Sequence, residues 1–386
     1  MDQPAILVVL GAYFPEISGG GLQARDLVRS LRDRLRFTVL TTTAMADGKN
    51  RVDDVDVFRV RVDLASGCSV VRALWRGLCL LWSLRGSFDV LHLEGFSRKN
   101  APLTLAALAL RKPIVLTLHT GGHDDAEAIK ERSRVGFWSI TRANRVVAVS
   151  PALRDAARRA GVPAGSLHYL PNGVDVKKFR PAGPGERDAI RQRLGIPEET
   201  AVILFVGFFS DEKGPHRLFD AWRGLPAGLR EASTLVFVGQ TTLPHTLVDP
   251  RMADAIRREA GAIDARPIFV ERTHEIEDYY RSADLFVMAS TREGCPMALL
   301  EAMASGLPVV SSRLPGATDM IVADGENGLL VEPGSVAAIR AALARMLADG
   351  KAAQAMGAQA RQTIEASFSL DRVASAYLEI YRSVSA

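Results

Sequence analysis

The sequence predicts two doubly wound α/β domains, each built on a parallel, Rossmann-like sheet, and three observations lead there. The chain has 386 residues, too many for one ordinary core. Short β-branched runs alternate with helix-period stretches along almost its whole length. Those runs are continuously apolar, as in parallel strands buried on both faces.

In the first half the strand candidates are AILVVLG, FTVLTTT, DVFRVRV, DVLHLEG, PIVLTLH and RVVAVS. In the second half they are AVILFVGFF, STLVFVGQ, PIFVERT, LFVMAS, PVVSS and GLLVEP. Pro, Asn-Gly and Gly cluster in PNGVDVKKFRPAGPGE, which puts a boundary near Asn172 to Pro184. The expected domains are residues 1–172 and 173–366, with a terminal helix over 367–386. Ligands of open α/β sheets sit outside the carboxyl ends of strands, so the expected site is a cleft between the domains.

Composition narrows the class. Hydrophobic content of 47% with 24% charge is ordinary globular material. Cys68, Cys79 and Cys295 are far apart and lack Cys/His ligand spacing, so no disulfide framework or zinc site is expected and a reducing compartment fits. MDQPAILVVLGAYFP opens with an acid and reads as a first strand rather than a signal. The net charge of +4 is uneven, with 24 Lys and Arg against 16 Asp and Glu in residues 1–170. That suggests an acidic partner for the first half, such as anionic lipid or a phosphorylated acceptor, or else a solvated surface with no partner. Nucleic acid is disfavoured, because no reader motif accompanies the charge.

Val71, Leu74, Trp75, Leu78, Leu81 and Trp82 follow helical spacing beside Arg72, Arg76 and Arg85. The pattern fits a helix lying at a membrane interface and equally an amphipathic helix covering a sheet. The stretch is too short and too interrupted to span a bilayer.

The chemistry concentrates in STREGCPMALLEAMASGLPVVSS, Ser290 to Ser312. A strand delivers the chain into Thr291-Arg292-Glu293-Gly294, Cys295-Pro296 opens a helix, and Gly306 closes it. Pro296 suits the first helical turn. Met297, Ala298 and Leu299 then present backbone N–H groups at the positive end of the helix dipole, an anion site. Glu301 lies about 5–6 Å further along and can accept hydrogen bonds from hydroxyls, as Glu293 can on the other side. The implied ligand is a nucleoside diphosphate sugar, with ribose at Glu301, phosphate at the helix start and the sugar at Glu293. Such a pair also occurs as solvated surface charge, but Ala298, Leu299, Leu300, Ala302 and Met303 leave little polar face to explain Glu301.

Three further segments carry weaker signals. Ser18-Gly19-Gly20-Gly21, between a strand and a helix, either lets backbone approach a ligand or forms a flexible turn. It lacks G-x-G-x-x-G spacing, which removes the dinucleotide and simple oxidoreductase readings. His119 ends an apolar strand before Thr120-Gly121-Gly122, at a rim position or in a structural role; His123, Asp124 and Asp125 nearby could suggest a metal. Lys213 in SDEKG is a point charge suited to phosphate, or a surface lysine.

EGCPMALLEAMASGLPVV followed by DGENGLLVEP resembles the signature region of retaining glycosyltransferases of the GT-B fold, family 4-like and group 1. FPEISGGGLQARDLVRSL resembles that family's Gly-rich first loop and helix, and LTLHTGG its histidine strand end. LPNGVDVKKFRP resembles its interdomain segment and VGFFSDEKG its phosphate-clamp loop. The resemblance implies retaining transfer from a UDP- or GDP-sugar to an acceptor hydroxyl, lipid-linked or saccharide, in bacterial cell-surface polysaccharide or glycolipid synthesis. It implies a donor-binding second domain, an acceptor-binding first domain, a terminal helix packed back towards the first domain, and no metal or other cofactor. Carried over residue by residue, it makes Glu293, His119 and Lys213 catalytic. Donor contacts fall on Gly19, Gly20, Gly21, Gly207, Lys213, Glu293, Gly294, Cys295, Pro296, Met297, Ala298 and Glu301. Many relatives carry Arg directly after the loop glycine, where this chain has Phe208 after Gly207; Arg292 or Arg217 are the expected substitute cations. A cytoplasmic protein, peripheral at the inner face of the plasma membrane, is expected. The rival readings are a non-catalytic or partner-dependent nucleotide-sugar-binding protein and a nucleotide-sugar epimerase of the same fold.

Overall fold

The structure, a computed structural model, describes residues 3–16, 18–44, 46–97, 99–122, 125–241, 248–263, 265–271 and 273–385. The chain begins β1 (Ala5–Leu10), α1 (Gly19–Leu31), β2 (Arg36–Thr43), β3 (Gly48–Val52), β4 (Val55–Arg61), α2 (Gly67–Ser83) and β5 (Val90–Glu94). It continues α3 (Asn100–Ala109), β6 (Ile114–Leu118), α4 (Ala126–Arg132), α5 (Arg134–Thr141), β7 (Arg145–Ala148), α6 (Pro151–Ala160) and β8 (Leu167–Tyr169). Then come α7 (Glu186–Leu194), β9 (Ala201–Val206), α8 (Pro215–Arg223), α9 (Ala227–Glu231), β10 (Ser233–Val238), α10 (Pro250–Gly261), β11 (Ile268–Val270) and α11 (Ile276–Ser282). The last elements are β12 (Leu285–Met288), α12 (Met297–Ala304), β13 (Val309–Ser312), β14 (Leu329–Val331), α13 (Val336–Ala348), α14 (Gly350–Ser367) and α15 (Leu370–Ser385).

Two compact units result. The first comprises residues 1–173 with 370–386, and the second residues 174–369. The first sheet runs β3-β4-β2-β1-β5-β6-β7-β8 and the second β11-β10-β9-β12-β13-β14. Every pairing in the second sheet is parallel. Both sheets are doubly wound, so the direction of winding reverses at β1/β5 in the first and at β9/β12 in the second. Crevices open at such points, outside the carboxyl ends of the strands.

All twelve apolar runs form strands, but two short strands escaped the pattern. β3 is an antiparallel edge strand, so the first sheet is mixed rather than parallel. Its sequence, GKNRV, is polar and exposed until Val52. A two-residue turn joins it to β4, with Asp53 and Asp54 at φ 49° and 66°, the left-handed pair that a tight hairpin requires. β8 has only three residues.

In the first unit one sheet face is covered by α1 and α15. Ile6, Val8, Val90 and Val115 pack there with Leu27, Val373, Tyr377 and Tyr381. The other face packs Leu7, Leu91 and Leu116 with Ala73, Leu81, Leu103, Ile129 and Ala157 from the crossover helices. In the second unit Phe205, Phe209 and Phe237 form an aromatic core with Leu218, Phe219, Trp222 and Ile256. Covering both faces of β1, β5, β6 and β12 leaves their side chains buried, which is why β1 and β12 read as unbroken apolar runs.

Candidate active site

In the second unit the loops after β9 and β12 leave the sheet side by side, at its switch point. Gly214, at φ +69°, precedes α8, and a Cβ there would lie 2.6 Å from the Ala289 carbonyl oxygen. Only glycine allows that turn and that approach. The Thr291 N–H donates to the Glu212 carbonyl at 2.8 Å, tying the loops together. Lys213 Nζ is thereby brought to 2.6 Å from Glu293 Oε1, with the lysine 31% and the glutamate 10% exposed. Gly207 lies alongside: a Cβ on it would stand 3.8 Å from Lys213 Cγ.

α12 starts at Met297, one residue later than expected. Pro296 is the N-cap (φ −73°, ψ 117°), not a residue of the first turn, and supplies no side-chain acceptor to the N–H groups of that turn. α8 also begins without a side-chain cap, whereas Ser18, Ser66, Asp125, Ser133, Ser150, Asp249, Ser335 and Asp349 cap other helices. Two helix starts lacking a protein carboxylate or hydroxyl thus stand at one sheet edge, a favourable setting for an anion. Gly294, Cys295 and Met297 are buried and Ala298 is half-buried.

One turn into α12, Glu301 is 7% exposed and its Oε2 accepts a hydrogen bond from the Tyr280 hydroxyl at 2.8 Å. Burial, with the Glu301 carboxylate beside it, holds the Tyr280 phenol well above the usual tyrosine range, so it stays a donor. A carboxylate this deep in an apolar helix is held for its acceptor capacity, not as surface charge.

The expected substitute cations are, like Lys213, already paired with carboxylates. Arg292 pairs with Glu212, and Arg217 bonds Asp211 through its carbonyl at 2.5 Å and its carboxylate at 2.8 Å. With Lys213 on Glu293, each of Lys213, Arg292 and Arg217 is matched by a carboxylate. Phe208 is half-buried in the turn. An open hollow of about 560 Å³, lined by Ser210, Asp211 and residues 248–252, adjoins the loop but includes none of Lys213, Glu293 and Glu301.

In the first unit the glycines are not a loop. Gly19, Gly20 and Gly21 are the first turn of α1, with Ser18 Oγ accepting from the Gly21 N–H at 3.0 Å. A Cβ on Gly21 would lie 2.5 Å from the Ala12 carbonyl oxygen, so its smallness serves packing. A Cβ on Gly20 would lie 3.7 Å from His119 Cδ2, which brings this turn and the histidine together. His119 Nε2 is 2.6 Å from Glu94 Oε2. Glu94 was not anticipated, nor were His92, Tyr280, Tyr377 and Tyr381. The signal for the first was present: in VLHLE, His92 and Glu94 interrupt an apolar strand at alternate positions, hence on one face.

Among the described residues no group of three or more His, Cys, Asp or Glu is arranged to hold a metal; His123 and Asp124 lie outside them. Cys68, Cys79 and Cys295 are not joined in disulfides. No helix of the described residues is long and apolar enough to cross a membrane.

Two family models match the chain: Glycosyltransferase Family 4 over residues 17–178 and Glycosyl transferases group 1 over residues 186–363. A D-inositol 3-phosphate glycosyltransferase of Xylanimonas cellulosilytica is 31% identical over 310 residues, 77% of this chain and 72% of that one. Alpha-maltose-1-phosphate synthase of Mycolicibacterium smegmatis is 30% identical over 97% of this chain and 98% of its own. The structure of Anabaena HepE in complex with UDP and glucose superposes with a TM-score of 0.80 at 21% identity, covering 98% of this chain and all of that one. Family models that together span both units, and a relative matched almost end to end, agree with the doubly wound topology: the chain belongs to the group 1, family 4 glycosyltransferases and is a glycosyltransferase of the GT-B fold.

Proposed function

We propose that the protein transfers a sugar from a nucleoside diphosphate sugar to an acceptor hydroxyl with retention of anomeric configuration. The observation that carries this is the cluster at β9/β12: Lys213 on Glu293, the uncapped start of α12, and Glu301 one turn further on. The donor diphosphate lies at the helix start, the ribose hydroxyls at Glu301 and the sugar hydroxyls at Glu293. HepE, which has been crystallised with UDP and with UDP-glucose, supports a uridine donor as the first to test.

As the bond between anomeric carbon and phosphate oxygen breaks, negative charge collects on the departing diphosphate. Lys213 and the N–H groups of Met297 and Ala298 stabilise it. The acceptor oxygen enters on the face the phosphate leaves, and its proton passes to a phosphate oxygen, so no further strong base is needed. Lys213 is paired before donor arrives, so binding exchanges its partner: the ammonium turns to phosphate and Glu293 is released to the sugar hydroxyls. No cofactor is required in this scheme. The first unit binds the acceptor, with His119 and the α1 start as its polar elements; a lipid-linked saccharide fits its basic charge.

Turnover of UDP-glucose and GDP-mannose, with water or a saccharide mixture as acceptor, tests this reading by proton NMR. Retention shows as an α-configured first product from an α-linked donor. A β-configured first product would contradict it, and a free epimerised donor would favour the epimerase.

A further inference from the structure

The first unit holds a chain of buried polar groups that the reaction as written does not use. β5 places His92, fully buried, and Glu94, 9% exposed, on the sheet face that α15 covers. Tyr381 of α15 bonds His92 Nδ1 at 2.7 Å. His92 Nε2 lies 2.8 Å from Thr117 Oγ1 and 3.4 Å from Glu94 Oε1. Thr117 Oγ1 is in turn 3.0 Å from the Tyr377 hydroxyl. Glu94 Oε2 ends the chain on His119 Nε2 at 2.6 Å. Groups this deep are costly unless each finds a partner, and here the partners run in one direction.

Burial holds the Tyr381 phenol far above the usual tyrosine range, so it donates to His92 Nδ1. Burial also lowers His92, whose neutral ring then carries its proton on Nε2, towards Thr117 and Glu94. Burial raises the Glu94 carboxyl, but His92 and His119 outweigh it and the net shift is downward, so Glu94 is a carboxylate and only accepts. His119 therefore donates its Nε2–H to Glu94.

We propose that Glu94 is the positioning residue for His119, fixing the ring's orientation and keeping its Nε2 protonated, while Tyr381 of the C-terminal helix braces Glu94 through His92. The proposal rests on the role given to His119 above, but its first test needs no turnover. Long-range proton–nitrogen NMR on the intact protein, labelled at its seven histidines, reads each tautomer directly, with His119→Asn assigning the signal. The expected result is a protonated Nε2 on His119, lost in part to the Nδ1–H tautomer in Glu94→Gln. Wild-type His119 with an unprotonated Nε2, or an unchanged signal in folded Glu94→Gln, overturns the proposal. If Glu94→Gln does not fold, the wild-type tautomer decides alone, and Tyr381→Phe, which removes one hydroxyl, should mix the His92 tautomers.

A second arm separates positioning from mere support. Glu94→Gln should lower kcat about 10-fold or more with donor KM changed less than about 2-fold, and should cost nothing further in a His119→Asn background. An equal cost in both backgrounds means a structural role and overturns the proposal. Absence of all turnover in wild type would sink the transferase reading and leave the tautomer result standing.

Discussion

At the scale of residues, the decisive feature is that Lys213 already has a carboxylate before any donor binds. An ion pair of this partly exposed kind is worth about 1 kcal/mol or less, so a diphosphate can displace it. Glu293→Gln should therefore tighten UDP up to about 5-fold while transfer falls steeply; calorimetry with an activity assay checks both. Weaker UDP binding in that variant would place Glu293 on the nucleotide itself. The buried pair His92 and Glu94 makes a pH prediction of definite sign. Burial lowers His92 below its ordinary 6.5, and neighbouring imidazoles hold Glu94 below its ordinary 4.5 against its own burial. Both folded values are depressed, so stability is complete above about pH 6.5 and falls as the unfolded chain takes up protons. Denaturation between pH 7.5 and 4 should show His92 first and Glu94 below it, the upper step vanishing in His92→Gln. The sequence singled out Glu301 by its apolar helix, and Glu293 and Lys213 by their turns and the family resemblance; the structure brings the last two together. Tyr280, Tyr377 and Tyr381 were not singled out, because their partners lie 21, 260 and 289 positions away.

At the scale of elements, α15 is a core helix of the first unit: Val373, Ala374, Tyr377, Leu378 and Tyr381 are buried there. Tyr381→Ala should cost about 3 kcal/mol or more, read from denaturant midpoints. Its periodicity announced a packed helix, while the sheet it meets was supplied by family resemblance. α2 divides the stripe read from its spacing. Ala73 and Leu81 face the core, Leu74 and Leu78 are half-buried, and Val71, Trp75 and Trp82 are 67%, 67% and 55% exposed. With Arg72 and Arg85 exposed as well, that face has the composition of a membrane-interface helix. Trp75→Ser/Trp82→Ser should change stability by less than about 1 kcal/mol yet reduce sedimentation with phosphatidylglycerol vesicles, and unchanged binding would remove the membrane reading. The start of α1 was misread because three glycines signal a loop, whereas the Ser18 cap and the close approach to Ala12 stabilise a helical turn.

At the scale of the whole molecule, two doubly wound units are what continuous apolar strands separated by helices must build, and that much was plain in the sequence. The β3–β4 hairpin was hidden because its polar, exposed strand carries no burial pattern. Each unit has its own core, so a ligand held by the second should protect it first. Amide exchange with UDP should slow at residues 207–223 and 293–304, the loops and helix starts that carry the cluster, while β10 and β11 change little. Transfer as proposed requires that cluster to be a nucleoside diphosphate site. The most direct test is calorimetric titration of wild type, Lys213→Ala and Glu301→Ala with UDP, GDP and ADP. One nucleotide should bind selectively, weakened about 10-fold or more in each variant. No binding of any of the three, or binding that both substitutions leave unchanged, would contradict it.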